Sequence, residues 1–334
     1  MKVSLVDEVL QALTHSESKV IANPKFGKTH ENELLLFLKP ECFVNTSGEK
    51  QRRLIHMIVE KTKSFKAEIS GVILLTGGSL ASLGIMDRHY GYINRLSRNA
   101  SRMLTDEDRA RIETQLRIEG GHRYLVLGGH EVLDNYRNFD AESLDDFWLT
   151  KKSFKLRGGF YFQKYEINKT DVVIINGFHP AQLNHYTDES HRILLFVLHS
   201  NSDWHGLRKD FVGDTFPERA VSNSVRGELH ANGASYGITN VSISYNGVHL
   251  SAGPFEGFFE IDNFFKDLSD IEYSRALTNV AHKMAIQGLT ETNLDKVLSN
   301  PTIRMSGKEI DLFSYTEDKD TSVAVQDYAR DFKG

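Results

Sequence analysis

The chain has 334 residues, with 40% hydrophobic and 25% charged residues, a formal net charge of -5 and a pI near 6.3. That balance describes an ordinary folded protein long enough for a sizeable core, and it excludes capture of nucleic acid or anionic membrane by bulk electrostatics. Cys42 is the only cysteine, which excludes an intrachain disulfide and a Cys-rich zinc site.

Residues 3–14 have the spacing of a short amphipathic helix, and Asp7 and Glu8 inside it make a poor signal peptide. HSESKVIANPKFGKTHEN reads as a loop around Pro24 and Gly27. In ELLLFLKPECF, an unbroken apolar run ends at Lys39-Pro40, the pattern of a buried central strand that stops at the proline. Glu49 to Lys63 places Leu54, Ile55, Ile58 and Val59 on one helical face. Phe65 to Leu75 reads as a strand with Gly71 marking a bulge, and SLASLGIMDRHYGYINRL as helix with Ser79 as its N-cap.

The middle, from Ser97 to Ser190, differs in texture. Thr105 and Asp108 cap a charged helix, and strand candidates RYLVLG, GFYFQKYEI and DVVIING alternate with Gly-rich turns. These strands form either a small sheet of their own or an extension of the main one. HRILLFVLHS is a second continuous apolar strand, expected beside ELLLFL. Neither LLLFL nor ILLFVL approaches the roughly 20 residues of a membrane span, so a cytoplasmic location is expected.

DWHGLRKDF follows as a short helix, and SYGITNVSISYNGVHL as a hairpin with His249 on or just past its second strand. PFEGFFEIDNFFKDL is an amphipathic helix with Phe255, Phe258, Phe259, Phe264 and Phe265 on its core face. The tail adds two helices. With the middle set aside, the order resembles a split β-α-β layout: an α+β fold with a ferredoxin-like, mostly antiparallel sheet and helices on one face.

Chemistry concentrates between Arg208 and Phe265. Lys39 at a strand end, Thr215 in a Gly-x-Thr-x-Pro turn, Arg226 and Asn246 supply the cations and polar donors a polyphosphate needs. His249 is followed by Glu256 and Glu260, which helical spacing turns to one face, so either could reach back to the imidazole. A neutral imidazole is a good nucleophile toward phosphorus, and a carboxylate on its other nitrogen fixes the tautomer. The residues alone leave two readings open: a phosphohistidine relay, or a strand-end histidine beside a solvated arginine.

Taken in order, these pieces resemble the nucleoside diphosphate kinase family. The carrying motifs are Lys39-Pro40, His89-Tyr90, Gly213-Asp214-Thr215-Phe216-Pro217, Ser224-Val225-Arg226-Gly227-Glu228, Asn246-Gly247-Val248-His249-Leu250-Ser251 and Glu260-Ile261-Asp262-Asn263-Phe264-Phe265. The resemblance covers 31–95 and 192–268, leaving 1–30 as an N-terminal extension, 96–191 as an insertion and 269–334 as a C-terminal extension.

It implies transfer of a γ-phosphate from a nucleoside triphosphate such as ATP to a nucleoside diphosphate. His249 would be the nucleophile, oriented by Glu260 with support from Ser251. Lys39, Thr215, Arg226 and Asn246 would hold phosphates and sugar, and Tyr90 would line the site. Mg²⁺ would come bound to the nucleotide, and assembly would be as homo-oligomers. The family's arginine before the turn Thr falls at Lys209, with Arg208 one residue out of step, and Leu250 stands where the family has Gly. Rival functions are a nucleotide-binding regulatory module that has lost turnover, a nucleotide hydrolase, or a scaffold.

His179, His185, His191, His199 and His205 lack metal-site spacing and read as structural. Arg88, Arg95, Arg98 and Arg102 read as a solvated helix face. The Gly pairs at 77–78, 120–121 and 128–129 lack phosphate-loop spacing and read as turns.

Overall fold

A computed structural model describes residues 4–27, 29–118, 123–157, 160–305 and 308–332. The chain divides into two compact units, Met1–Leu83 with Glu189–Gly334, and Gly84–Asp188. The first segment holds α1 (Leu5–Leu13), β1 (Lys19–Ala22), β2 (Asn32–Leu38), α2 (Gly48–Ser64), β3 (Ala67–Thr76) and α3 (Gly77–Ser82). The second unit holds α4 (Ile85–His89), α5 (Gly91–Met103), α6 (Asp106–Leu116), β4 (Leu125–Gly128), α7 (Gly129–Asn135), α8 (Ala141–Leu149), β5 (Phe154–Arg157), β6 (Phe160–Ile167), β7 (Thr170–Ile175) and α9 (His179–Thr187). The chain then returns to the first unit with β8 (Arg192–Ser200), α10 (Trp204–Gly206), α11 (Val225–Tyr236), β9 (Val248–Leu250) and α12 (Pro254–Phe265). Its tail adds α13 (Asn279–Ile286), α14 (Glu291–Leu298), β10 (Thr302–Met305), β11 (Lys308–Asp311), α15 (Leu312–Thr316) and α16 (Thr321–Phe332).

The first unit is α+β. Its five-stranded sheet runs β1-β3-β8-β2-β9, every pairing antiparallel. Without β1, the chain order β2-α2-β3-β8-α11-β9 is the ferredoxin-like arrangement. β8 does lie beside β2, and the β3–β8 register slips between Ile69 and Gly71, where the bulge was expected.

Every residue of β2 is buried, which explains its unbroken apolar run: both faces of the sheet are covered, not one. Leu34, Leu36 and Leu38 join Leu54, Ile55 and Ile58 of α2 in one core. On the opposite face Phe37 meets Phe264 of α12, their ring centroids 5.8 Å apart. Of the five phenylalanines expected in the core face of α12, four are buried; Phe259 is half-buried and packs on Phe313 of α15.

Several local expectations change. KVIA, read as loop, is strand β1, given its form by the β3 edge rather than by its own composition. Thr76, not Ser79, caps α3, its hydroxyl oxygen accepting from the Ser79 N–H. The hairpin before His249 is absent: α11 runs through Tyr236 and stops at left-handed Gly237, ITNVSISYNG after it is irregular, and only Val248–Leu250 pairs with β2. Gly247 at φ +78° breaks the extended backbone just before that pairing. Among its described residues the tail carries four α-helices and a pair of strands, and its apolar residues, including Val280, Leu294, Leu312 and Tyr328, form a separate core against Phe255 and Phe258. Among the described residues no helix is long and apolar enough to cross a membrane.

The second unit has its own four-stranded sheet, β4-β7-β6-β5, which settles the alternative left open by sequence. β4 and β7 are parallel, and β6 turns into β7 through Asn168 and Lys169, both at positive φ. The Thr105–Asp108 capping box opens α6 as expected. Gly77–Gly78 and Gly128–Gly129 lead strands into helices rather than forming turns, and 120–121 lie outside the described residues.

Candidate functional site

β9 is only three residues long, yet it fixes the direction of His249. Val248, His249 and Leu250 stand opposite Leu38, Phe37 and Leu36 of β2. Strand alternation buries Val248 and Leu250 with the α2 core and turns His249 to the α12 side. There its ring stacks on Phe37, centroids 4.5 Å apart at 21°. Leu250 thus has a structural place, filling the core beneath the site.

α12 returns Glu260 to the imidazole. His249 Nε2 lies 2.6 Å from Glu260 Oε1, and the Ser251 hydroxyl donates to Glu260 Oε2 at 2.5 Å. Ser251 Oγ also accepts from the Leu35 N–H at 3.1 Å, which fastens the pair to the sheet. Of the two carboxylates that helical spacing allowed, Glu260 takes the ring nitrogen. Glu256 lies one turn earlier, its Oε2 accepting from the Ala252 N–H at 2.9 Å.

Cations gather around this pair. Lys39 ends β2, where its backbone N–H donates to the Gly247 carbonyl at 3.0 Å. Arg226 lies in the first turn of α11, started by Ser224 accepting from the Gly227 N–H. Its Nη1 donates to Gly213 O at 2.8 Å and its Nη2 to Val248 O at 3.0 Å, so the guanidinium straps the Gly213–Pro217 turn to the histidine strand. Arg226 Nε and Asn246 Oδ1 are buried and have no hydrogen-bond partner among the described residues. Orphaned buried polar atoms are costly and uncommon. The Asn246 amide donates to Ile243 O at 3.1 Å and Thr215 O at 3.4 Å, while the Thr215 side chain is exposed.

Arg208 and Lys209 both lie in an irregular helical turn. Leu207–Val212 is a π-helical turn, closed by the Gly213 N–H donating to Arg208 O at 2.9 Å, and such a turn absorbs one extra residue. Arg208 is the residue whose charge acts on both His249 and Arg226. Lys209 is half-buried, its Nζ 3.9 Å from Asp214 Oδ2. Tyr90 belongs to the second unit, between α4 and α5, with its ring against those of His179 and Tyr186. In that same unit Ser97 Oγ lies 2.9 Å from His130 Nδ1.

The electrostatics keep the imidazole neutral. Burial holds the His249 pKa down at about 3; Glu256 opposes this, while Lys39, Arg226 and Arg208 push it further down. Burial also lowers Lys39 and brings Arg226 to about 10, the latter helped by Arg208. Glu256 is pushed up to about 7 by burial and by Glu260. Sequence reading missed the stacking of Phe37, the partners of Arg208, and Glu41, whose carboxylate accepts from the Gly247 N–H at 2.9 Å. None of these carries a local motif.

No protein-family model matches the chain, and no curated protein does. Solved structures similar to it include a pair of kinases. One is a nucleoside diphosphate kinase from Encephalitozoon cuniculi, at 12% identity over 73% of this chain and 93% of that one, with a TM-score of 0.35. The other is an NDP kinase from Pyrobaculum aerophilum, at 18% identity over 72% of this chain and 99% of that one, with a TM-score of 0.36.

Proposed function

We propose that the chain is a phosphotransferase that moves the γ-phosphoryl group of a nucleoside triphosphate to His249 and then to a nucleoside diphosphate. The observation that carries this is a neutral histidine held by a buried carboxylate, Nε2 to Oε1 at 2.6 Å, in a ring of cations with an orphaned donor. With Nε2–H donated to Glu260, the ring lone pair sits on Nδ1, which becomes the attacking atom. The Nδ1–P bond forms as the bond from the γ-phosphorus to the β,γ-bridging oxygen breaks, and the electron pair leaves with the diphosphate. The imidazolium charge that develops is stabilised by Glu260, whose second oxygen is held by Ser251. An incoming diphosphate oxygen reverses the step.

Lys39, Arg208 and Arg226 supply charge for the phosphates, and Arg226 Nε and Asn246 Oδ1 have hydrogen bonds still to make, one as donor and one as acceptor. Asn246 Oδ1 suits a sugar hydroxyl. This donor set fits a polyphosphate. Mg²⁺ would be held by the phosphates themselves and would neutralise their charge during transfer.

Incubation with γ-labelled triphosphate tests the reading. Label that is acid-labile and base-stable, discharged by a nucleoside diphosphate and missing in His249→Ala, is the expected result. Wild-type protein that forms no acid-labile phosphoenzyme overturns it. Release of inorganic phosphate without transfer would mark a hydrolase, and tight nucleotide binding without either product a regulatory module.

A further inference from the structure

Residues just after α15 contact Arg208, whose charge acts on His249. After α15, Glu317 and Asp318 make a tight elbow, Asp318 adopting the left-handed conformation at φ +61°. Arg208 Nη1 donates to Glu317 Oε1 at 2.7 Å and to Asp318 Oδ1 at 2.6 Å. The elbow is itself anchored. The Asp318 N–H donates to Ala252 O at 3.0 Å, next to Ser251, and Asp318 Oδ2 lies 3.3 Å from His205 Nδ1. Gly253 is pressed against this segment so closely that a Cβ there would meet Thr316 O at 2.6 Å. The loop that joins the histidine strand to α12 and the elbow that grips Arg208 are therefore one packed piece.

We propose that Glu317 and Asp318 are positioning residues that hold Arg208 at the site as its phosphate-binding arginine. This rests on the phosphotransfer reading above. A long arginine side chain loses much rotamer freedom when it binds an anion, and a carboxylate clamp removes that freedom beforehand. Both carboxylates share Nη1, which leaves Nη2 and Nε of the planar fork to meet a phosphate. The clamp also keeps the guanidinium close to another cation, Arg226, where repulsion would otherwise drive it toward solvent. The π-helical turn brings Arg208 into step with the site, and the elbow holds it there.

The test is a thermodynamic cycle on Mg-ADP affinity, measured by calorimetry on the full chain. Glu317→Gln with Asp318→Asn keeps shape and removes charge. It is expected to weaken Mg-ADP by about tenfold, as is Arg208→Ala, with no further loss when the two are combined. The melting temperature checks that each variant folds, and the Arg208→Lys variant, which keeps charge without the fork, is expected to fall between. An elbow variant with unchanged or tighter affinity overturns the proposal. So does an elbow variant that weakens binding equally in the Arg208→Ala background, since the effect would not then pass through Arg208. Wild-type chain that forms no phosphohistidine and binds no Mg-nucleotide overturns the underlying phosphotransfer reading instead, a result distinct from either.

Discussion

Two histidine–carboxylate pairs among the described residues of the first unit, His199–Glu33 and His249–Glu260, are built for different ends. His199 on β8 places Nε2 3.0 Å from Glu33 Oε1, directly across the β2–β8 pairing. Glu33 Oε1 also accepts from the Gly27 N–H at 3.0 Å, and Oε2 accepts from the Asn279 N–H at 2.9 Å. That carboxylate ties a loop and the start of α13 to the sheet, and its hydrogen bonds go to the fold. The His249–Glu260 pair has a similar contact at 2.6 Å, but Lys39, Arg208 and Arg226 act on its ring, and Arg226 Nε and Asn246 Oδ1 beside it have no partner. An imidazole–carboxylate pair is therefore no signature of chemistry by itself. Concentrated charge and unspent polar atoms around it are what set one pair apart.

The sharpest way to break the comparison is to remove each histidine in turn. His249→Ala is expected to reduce phosphoryl transfer to background, with no labelled protein. His199→Ala should retain transfer and lose stability by roughly 1–3 kcal/mol, the cost of a buried carboxylate deprived of a partner. Label incorporation and urea unfolding read the two effects separately. The reverse pattern would show that the wrong pair has been assigned.

Changing the carboxylates probes the same contrast with a smaller effect. Glu260→Gln keeps the shape but cannot stabilise a charged imidazolium, and transfer is expected to fall roughly 10²- to 10⁴-fold. Glu33→Gln is expected to leave transfer intact and lower the melting temperature. Equal kinetic losses from the two would mean that both carboxylates act only through the fold.

Much of this is legible in the sequence. A carboxylate of α12 could be paired with His249 because strand and helix periodicities are local rules, with Glu256 and Glu260 both open on spacing and Glu260 implied only by the family resemblance; β2 could be paired with β8 because an unbroken apolar run signals burial on both faces. β1 was not, since KVIA becomes a strand only by meeting the β3 edge. Nor was the contact of Arg208 with Glu317, which joins residues far apart in the chain and depends on where α15 packs. The choice between Glu256 and Glu260 needed the depth of α12 against the sheet, which helical spacing does not contain. The π-helical turn that offsets Arg208 was equally hidden, because a one-residue expansion leaves no pattern in composition.

A third substitution sharpens what the cations do. Arg226→Lys retains charge but cannot strap both Gly213 O and Val248 O while presenting Nε. Nucleotide affinity is expected to drop about tenfold, or about 1.4 kcal/mol, with the phosphoenzyme still formed at saturation. An unchanged affinity would mean that charge alone suffices.

The smallest expected effect is a pH dependence, and it separates His249 from its neighbour. With a folded pKa near 3 against an ordinary 6.5, His249 is already neutral across the working range. Its contribution to stability is fully present above pH 6.5 and is lost as pH falls from 6.5 toward 3, where only the unfolded chain binds the proton. Glu256 behaves oppositely. Its raised pKa, about 7 against 4.5, gives a contribution present below pH 4.5 and lost as pH rises through 7. Ionised Glu256 also adds a negative charge that acts on His249, which opposes the approach of a phosphate. Transfer should therefore stay level from pH 5 to 6 and decline several-fold through about 7 as Glu256 ionises. Because the nucleotide titrates too, the informative quantity is the ratio of wild type to Glu256→Gln, which is expected to fall through pH 7. A ratio that stays flat, with an inflection near 6.5 persisting in both proteins, would assign the titration to His249 and show that its ring is far less shielded than the surrounding cations and Phe37 imply.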